Sequence, residues 1–165
     1  MSSPTDKPGE VLGEAAFRHL LAREADRATR YRDFFSVCLV RADTPEPTNG
    51  NPAETQQAVA RKIAEFLRST DVVGRVQDGA AFLLLHTAST DAVRVAERIR
   101  VHIENVAFPG APGGPPRRIT LSVGEVSFPR DGANDTVLLS RAEANLQEAA
   151  RRGGNRVVFA DDSKR

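Results

Sequence analysis

The stretch Asp71-Val-Val-Gly-Arg-Val76-Gln77-Asp78-Gly79-Ala80-Ala81-Phe-Leu-Leu-Leu-His86 decides the architecture. Two runs, Asp71–Val76 and Ala80–His86, are rich in valine, leucine and aromatic residues and read as strands. Asp78-Gly79 sits between them, a dipeptide that tight hairpins favour because both residues tolerate positive φ. An antiparallel pair is therefore built into the middle of the chain. What flanks it determines the kind of sheet it joins.

Working outward on the N-terminal side, Val59, Ile63, Phe66 and Leu67 recur at helical spacing. Before them, Asp43–Pro52 holds three prolines and Asn49-Gly50 and reads as a loop. Phe34–Val40 is a short continuous apolar run, the pattern of a buried strand. Phe17, Leu20, Leu21, Ala25, Ala28 and Tyr31 mark an opening helix. On the C-terminal side, Ala92, Val95, Ala96, Ile99 and Ile103 give a third helix, and Phe108–Pro116 a proline- and glycine-rich loop. Ile119–Phe128 reads as a strand, and Val137–Arg152 as a helix stopped by Gly153-Gly154. Arg156–Phe159 is a last short strand. The order αβαββαβαβ predicts an α/β (α+β) domain with a central mixed or antiparallel five-stranded sheet covered by helices. The domain is expected over residues 12–160, between a flexible N-terminal tail of residues 1–11 and a C-terminal tail of residues 161–165.

A chain of 165 residues can bury a real core as one domain. Its 23 basic and 22 acidic residues leave a net charge of +1, too little field to gather nucleic acid. Only Lys7, Lys62 and Lys164 are lysines, so the cations are otherwise arginines. No run of about 18 apolar residues exists to cross a membrane, and the polar Met1–Glu10 is not a signal peptide. A cytoplasmic protein without a membrane partner is expected. The single cysteine, Cys38, allows neither an internal disulfide nor a cysteine-based zinc site and is expected to be buried. His19, His86 and His102 fall on separate elements, with no spacing suited to a metal.

Three segments carry a family resemblance. The first is Phe66-Leu-Arg68-Ser-Thr-Asp71-Val-Val-Gly-Arg75, and the second is Asp91-Ala-Val-Arg-Val-Ala-Glu97-Arg98-Ile-Arg100. The third runs from Ile119-Thr-Leu-Ser-Val-Gly124 through Phe128-Pro-Arg-Asp-Gly132 to Gly153-Gly-Asn-Arg156-Val. In this order the chain resembles the GGDEF domains of diguanylate cyclases over about residues 12–160. The resemblance implies a nucleotide-cyclase-like fold. In active relatives two such domains meet, each presenting GTP, and divalent metal ions assist attack of one 3′ hydroxyl on the other α-phosphate to make cyclic di-GMP.

That chemistry needs carboxylates to hold the metals. Counting on from Arg68–Asp71, the signature positions are Gln77, Asp78, Gly79, Ala80 and Ala81, so the carboxylate places are held by Gly79 and Ala80. Shifting by one to match Phe82 with the signature aromatic puts Ala80 and Ala81 there instead. Arg41 stands where the resemblance implies the first metal-binding aspartate. Asp43 survives nearby, where a lone loop carboxylate is ordinarily solvated or capping. Ala150 replaces the phosphate-contacting lysine. The resemblance therefore implies a degenerate signature loop, no catalytic residue, no magnesium or other metal cofactor, and no enzyme.

A regulatory motif remains. Many family members bind cyclic di-GMP through an Arg-x-x-Asp pair placed five residues ahead of the signature, completed by an arginine on the next helix. Arg68 and Asp71 are followed by the five residues Val72–Val76, and Arg98 matches the completing arginine. A guanidinium fork fits the O6 and N7 acceptors of guanine, and an ionised aspartate accepts from its N–H donors. Arg98 can hold a phosphate or a second guanine edge. Arg-x-x-Asp occurs four times in the chain, and only this occurrence has the right offset. The plainer alternatives are a helix-terminal cation for Arg68, a turn residue for Asp71 and a solvated partner of a glutamate for Arg98. The expected function is a catalytically inactive cyclic di-GMP receptor that signals by self-association or through an unidentified protein partner. The alternative is a ligand-independent interaction module on the same fold. Residual cyclase activity is a third reading, for which the metal ligands are missing.

Overall fold

The computed structural model describes residues 10–43, 52–110 and 113–160. Its elements are β1 (Val11–Leu12), α1 (Glu14–Tyr31), β2 (Phe35–Asp43), α2 (Pro52–Phe66), β3 (Val72–Val76), β4 (Gly79–Leu85), α3 (Ser89–Glu104), β5 (Thr120–Phe128), α4 (Asp135–Arg151) and β6 (Arg156–Val158). The strands form one mixed sheet in the order β1-β3-β4-β2-β5-β6. The inner pairs β3–β4, β4–β2 and β2–β5 are antiparallel, and the outer pairs β1–β3 and β5–β6 are parallel.

The sheet has six strands where five were expected. The extra one, β1, pairs Val11 with Val73 and Leu12 with Gly74, so Val11 belongs to the sheet and not to the tail. Two residues are too few for any periodicity to register. Most of residues 1–11 and all of residues 161–165 lie outside the described residues. The opening strand is also longer than its apolar run. Arg41, Ala42 and Asp43 continue β2 because they pair with Ser122, Leu121 and Thr120 of β5. Pro52, read as loop, is the first residue of α2, where proline has no N–H bond to lose.

Alternation along β2 builds two cores. Phe35, Val37 and Leu39 face α1 and α4 with Phe17, Leu21, Leu138 and Leu146. Cys38 and Val40 face α2 and α3 with Ile63, Ile99 and Ile103. A central strand covered on both faces reads as a continuous apolar run. Two glycines let helices approach the sheet. A Cβ on Gly74 would lie 2.6 Å from Phe17 Cβ, and one on Gly124 would lie 2.2 Å from the Ala142 carbonyl oxygen. Helix α4 starts on an Asn134 cap, whose side chain accepts from Val137 N at 2.9 Å. It ends at Gly153 and Gly154, whose φ values of 110° and 75° turn the chain into β6. Among the described residues no helix is long and apolar enough to cross a membrane.

Candidate functional site

At one end of the sheet, the β3–β4 turn consists of Gln77 and Asp78, since Val76 pairs directly with Gly79. The turn thus lies one residue earlier than Asp78-Gly79. Its positive φ, 50°, belongs to Gln77. Gly79 is required for a different reason: its missing side chain admits the Val40 carbonyl oxygen, which would sit 2.1 Å from a Cβ. Gln77 N donates to Glu14 Oε1 at 2.8 Å. That bond, followed by the one from Arg18, holds the Glu14 carboxyl below its usual range. Ala80 and Ala81 are buried.

A cleft of about 310 Å³ lies between this turn, α1 and α4, lined among others by Arg18, Leu39, Gln77, Ser140 and Glu143. Arg41 Nη2 donates to Glu143 Oε1 at 3.2 Å, while its buried Nε has no hydrogen-bond partner. Asp43 is not the solvated loop carboxylate expected. It accepts from Thr120 Oγ1 at 2.8 Å, Ser122 Oγ at 2.7 Å and Asn155 N at 2.8 Å. These bonds tie β2 to β5 and to the turn before β6. Ala150 is exposed on α4. Among the described residues no group of three or more His, Cys, Asp or Glu is placed to hold a metal ion.

At the opposite end of β3, Arg68 follows α2 and Asp71 precedes β3. A tight turn, with Asp71 N donating to Arg68 O at 3.0 Å, brings their side chains face to face. Arg68 Nε donates to Asp71 Oδ2 and Nη2 to Oδ1, both at 3.0 Å. Asp71 Oδ2 also accepts from Arg68 N at 3.2 Å. Arg68 Nη2 lies 3.3 Å from both the Leu85 carbonyl oxygen and Thr87 Oγ1. The aspartate side chain is 3% exposed and the arginine 63%, so the carboxylate is an anchor and the guanidinium presents itself outward. Asp71 further secures the charge on Arg68. Arg98 is not in this pair. Its guanidinium stands over the ring of Phe66, 5.3 Å from the centroid, two residues ahead of Arg68 in the chain. The glutamate partner suggested for it belongs instead to Arg100, which bonds Glu97 at 2.8 Å.

Sequence reasoning missed what lies behind this pair. Thr87 Oγ1, which receives Arg68, donates to Leu85 O at 2.8 Å. The Thr87 carbonyl accepts from Ser36 Oγ at 2.8 Å, and Ser36 Oγ lies 2.8 Å from Ser127 Oγ. Ser127 Oγ lies 2.6 Å from Glu125 Oε1. Glu125 has 0% exposure. Burial pushes its carboxyl up to about 7, against the opposing hydrogen bonds of Ser127 and Ser89. An acid in the middle of an apolar strand was the visible signal.

A sequence model of the family described as diguanylate cyclase, GGDEF domain, matches residues 53–156. The response regulator PleD of Caulobacter vibrioides is 33% identical over 139 residues, which cover 80% of this chain and 30% of PleD. The chain thus spans under a third of that relative. Among solved structures, the GGDEF domain of YfiN from Pseudomonas aeruginosa matches with a TM-score of 0.78 at 22% identity, covering 92% of this chain and 98% of that one. The GGDEF domain of DgcB from Caulobacter crescentus, in complex with c-di-GMP, matches with a TM-score of 0.77 at 19% identity, covering 98% of each. At these identities the structural matches speak for the fold.

Proposed function

The chain belongs to the GGDEF domain family of diguanylate cyclases, and from that premise we propose that it is a cytoplasmic cyclic di-GMP receptor and not a cyclase. The observation that carries the reading is the exposed Arg68 guanidinium, clamped on one side by the buried Asp71 carboxylate and Thr87. A clamped guanidinium loses little freedom on binding, and its Nη1, outside the bonds to Asp71, Leu85 and Thr87, is left to meet a guanine acceptor. Arg98, held over Phe66, supplies a second cation for a phosphate or another base edge. The solved DgcB relative binds this same ligand.

The opposite end of the sheet supports the absence of catalysis. Gly79 and Ala80 offer no side-chain oxygen. Asp43 already accepts three hydrogen bonds, and the Arg41 guanidinium is paired with Glu143. This donor set does not fit a divalent cation. The readout that belongs to this proposal is self-association or the binding of a protein partner. A ligand-independent interaction module is the second reading, and Tyr31 and Phe34 favour it, being 66% and 43% exposed on either side of the α1–β2 turn.

Isothermal titration with cyclic di-GMP tests the proposal. The wild-type protein should bind, and Arg68→Ala should weaken binding by roughly tenfold or more, the worth of charge-assisted bonds. A flat wild-type titration at roughly tens of micromolar would transfer the case to the interaction module. Incubation with GTP and magnesium should give no cyclic dinucleotide above background, and its appearance would restore the cyclase.

A further inference from the structure

The oxygens of Glu125, Ser127, Ser36 and Thr87 form an unbroken row beneath the Arg68 site. Their separations are 2.6 Å from Glu125 Oε1 to Ser127 Oγ, 2.8 Å from Ser127 Oγ to Ser36 Oγ, and 2.8 Å from Ser36 Oγ to the Thr87 carbonyl. Three oxygen–oxygen contacts of that length need three hydrogens. The two serines supply one each, and a carbonyl supplies none. Among the described residues no neighbour makes up the difference. The Thr87 hydroxyl is committed to Leu85 O, and Ser89 Oγ approaches the other carboxyl oxygen, Oε2, at 3.1 Å. The missing hydrogen must come from Glu125 itself. With an O–H on Oε1, each link has a donor: Glu125 to Ser127, Ser127 to Ser36, Ser36 to the Thr87 carbonyl. Ionised Glu125 would draw the Ser127 hydrogen to itself and leave one link in the row without a hydrogen.

We propose that Glu125 is carried as the neutral acid and is a positioning residue for the Arg68 site, its proton completing the row that fixes Thr87 under the guanidinium. The consequence for ligand affinity rests on the receptor reading above. The ionisable groups around the carboxyl are compatible with this state. Cys38 lies opposite it in the β2–β5 register, its own thiol pushed up by burial and therefore neutral. Asp131, in the turn after β5, opposes ionisation, and Arg130 beside it favours ionisation. Helix α3 contributes the uncharged Ser89, and α4 contributes Asn145, which donates to the Glu125 main-chain oxygen at 3.0 Å. Burial outweighs these and sets the midpoint at about 7.

Carbon- and nitrogen-detected NMR of the ligand-free protein decides the matter. The Glu125 carboxyl carbon should titrate near neutrality, and the Arg68 Nε–H and Thr87 amide signals should move with the same midpoint. In Glu125→Gln, whose carboxamide N–H can donate to Ser127, both signals should stay at the wild-type low-pH positions. Ser127→Ala should uncouple them from Glu125 while the fold persists. A carboxylate shift for Glu125 already at about pH 5.5, or Arg68 and Thr87 signals that ignore its titration, would overturn the proposal. For the ligand, wild-type affinity for cyclic di-GMP should fall about threefold or more between about pH 6 and pH 8, and Glu125→Gln should be level. A level wild-type affinity over that range would break the link to the site. If no cyclic di-GMP binds at any pH, the receptor reading fails, and the NMR titration alone judges the proton row.

Discussion

Glu125 shows what a single side chain demands of its surroundings. A carboxyl with no exposure is tolerated while it is neutral and hydrogen-bonded, and opposes folding once charged. Its folded midpoint of about 7 lies above the ordinary 4.5, so over that interval the folded chain binds more protons than the unfolded one. The stabilisation is complete below about pH 4.5, declines as pH rises, and is gone above about pH 7. Relative to Glu125→Gln, wild-type stability should fall by about 1.4 kcal/mol per unit, roughly 3 kcal/mol in all, across that window. Urea unfolding of both proteins at several pH values measures this. At the same scale, Arg68 and Asp71 were legible because their spacing in the chain is also their spacing in the turn. Arg98 was legible by position alone. Its seat over Phe66 depends on how α2 packs on α3.

Among the elements, helix α4 and strand β5 are joined where Gly124 lets the helix backbone touch the sheet. A Cβ there would lie 2.2 Å from Ala142 O and 2.5 Å from Leu146 N, both rigid backbone atoms. Gly124→Ala should therefore destabilise the domain by about 1–3 kcal/mol or more, read from the shift of its denaturant midpoint. The hairpin makes a complementary point. Its existence was evident from two apolar runs with turn residues between them. Its register was not, because Asp78-Gly79 has the chemistry of a turn while Gly79 is needed for clearance under Val40. Strand β2 was read short for a related reason. Arg41 and Asp43 look like loop residues until Glu143, Thr120 and Ser122 are placed beside them.

For the molecule as a whole, the two ends of the sheet have different chemistry. The hairpin end has a cleft lined by Glu143, which pairs with Arg41, and an aspartate, Asp43, that accepts three hydrogen bonds, and the Arg68 end has an outward guanidinium. If cyclic di-GMP bridges two copies at the Arg68 end, saturating ligand should raise the sedimentation coefficient of wild type toward that of a dimer. Arg68→Ala should remain where it was. Read alone, the order of residues already indicated the α+β fold class, the helix and strand order after β1, and the closeness of Arg68 to Asp71. Those features depend on neighbours a few positions apart. Folding in space supplied the sixth strand, the occupation of Asp43 and the row from Glu125 to Thr87. Ser36 stands 51 positions from Thr87 and 91 from Ser127, and no local pattern foretells that a sheet will set their oxygens within hydrogen-bonding distance.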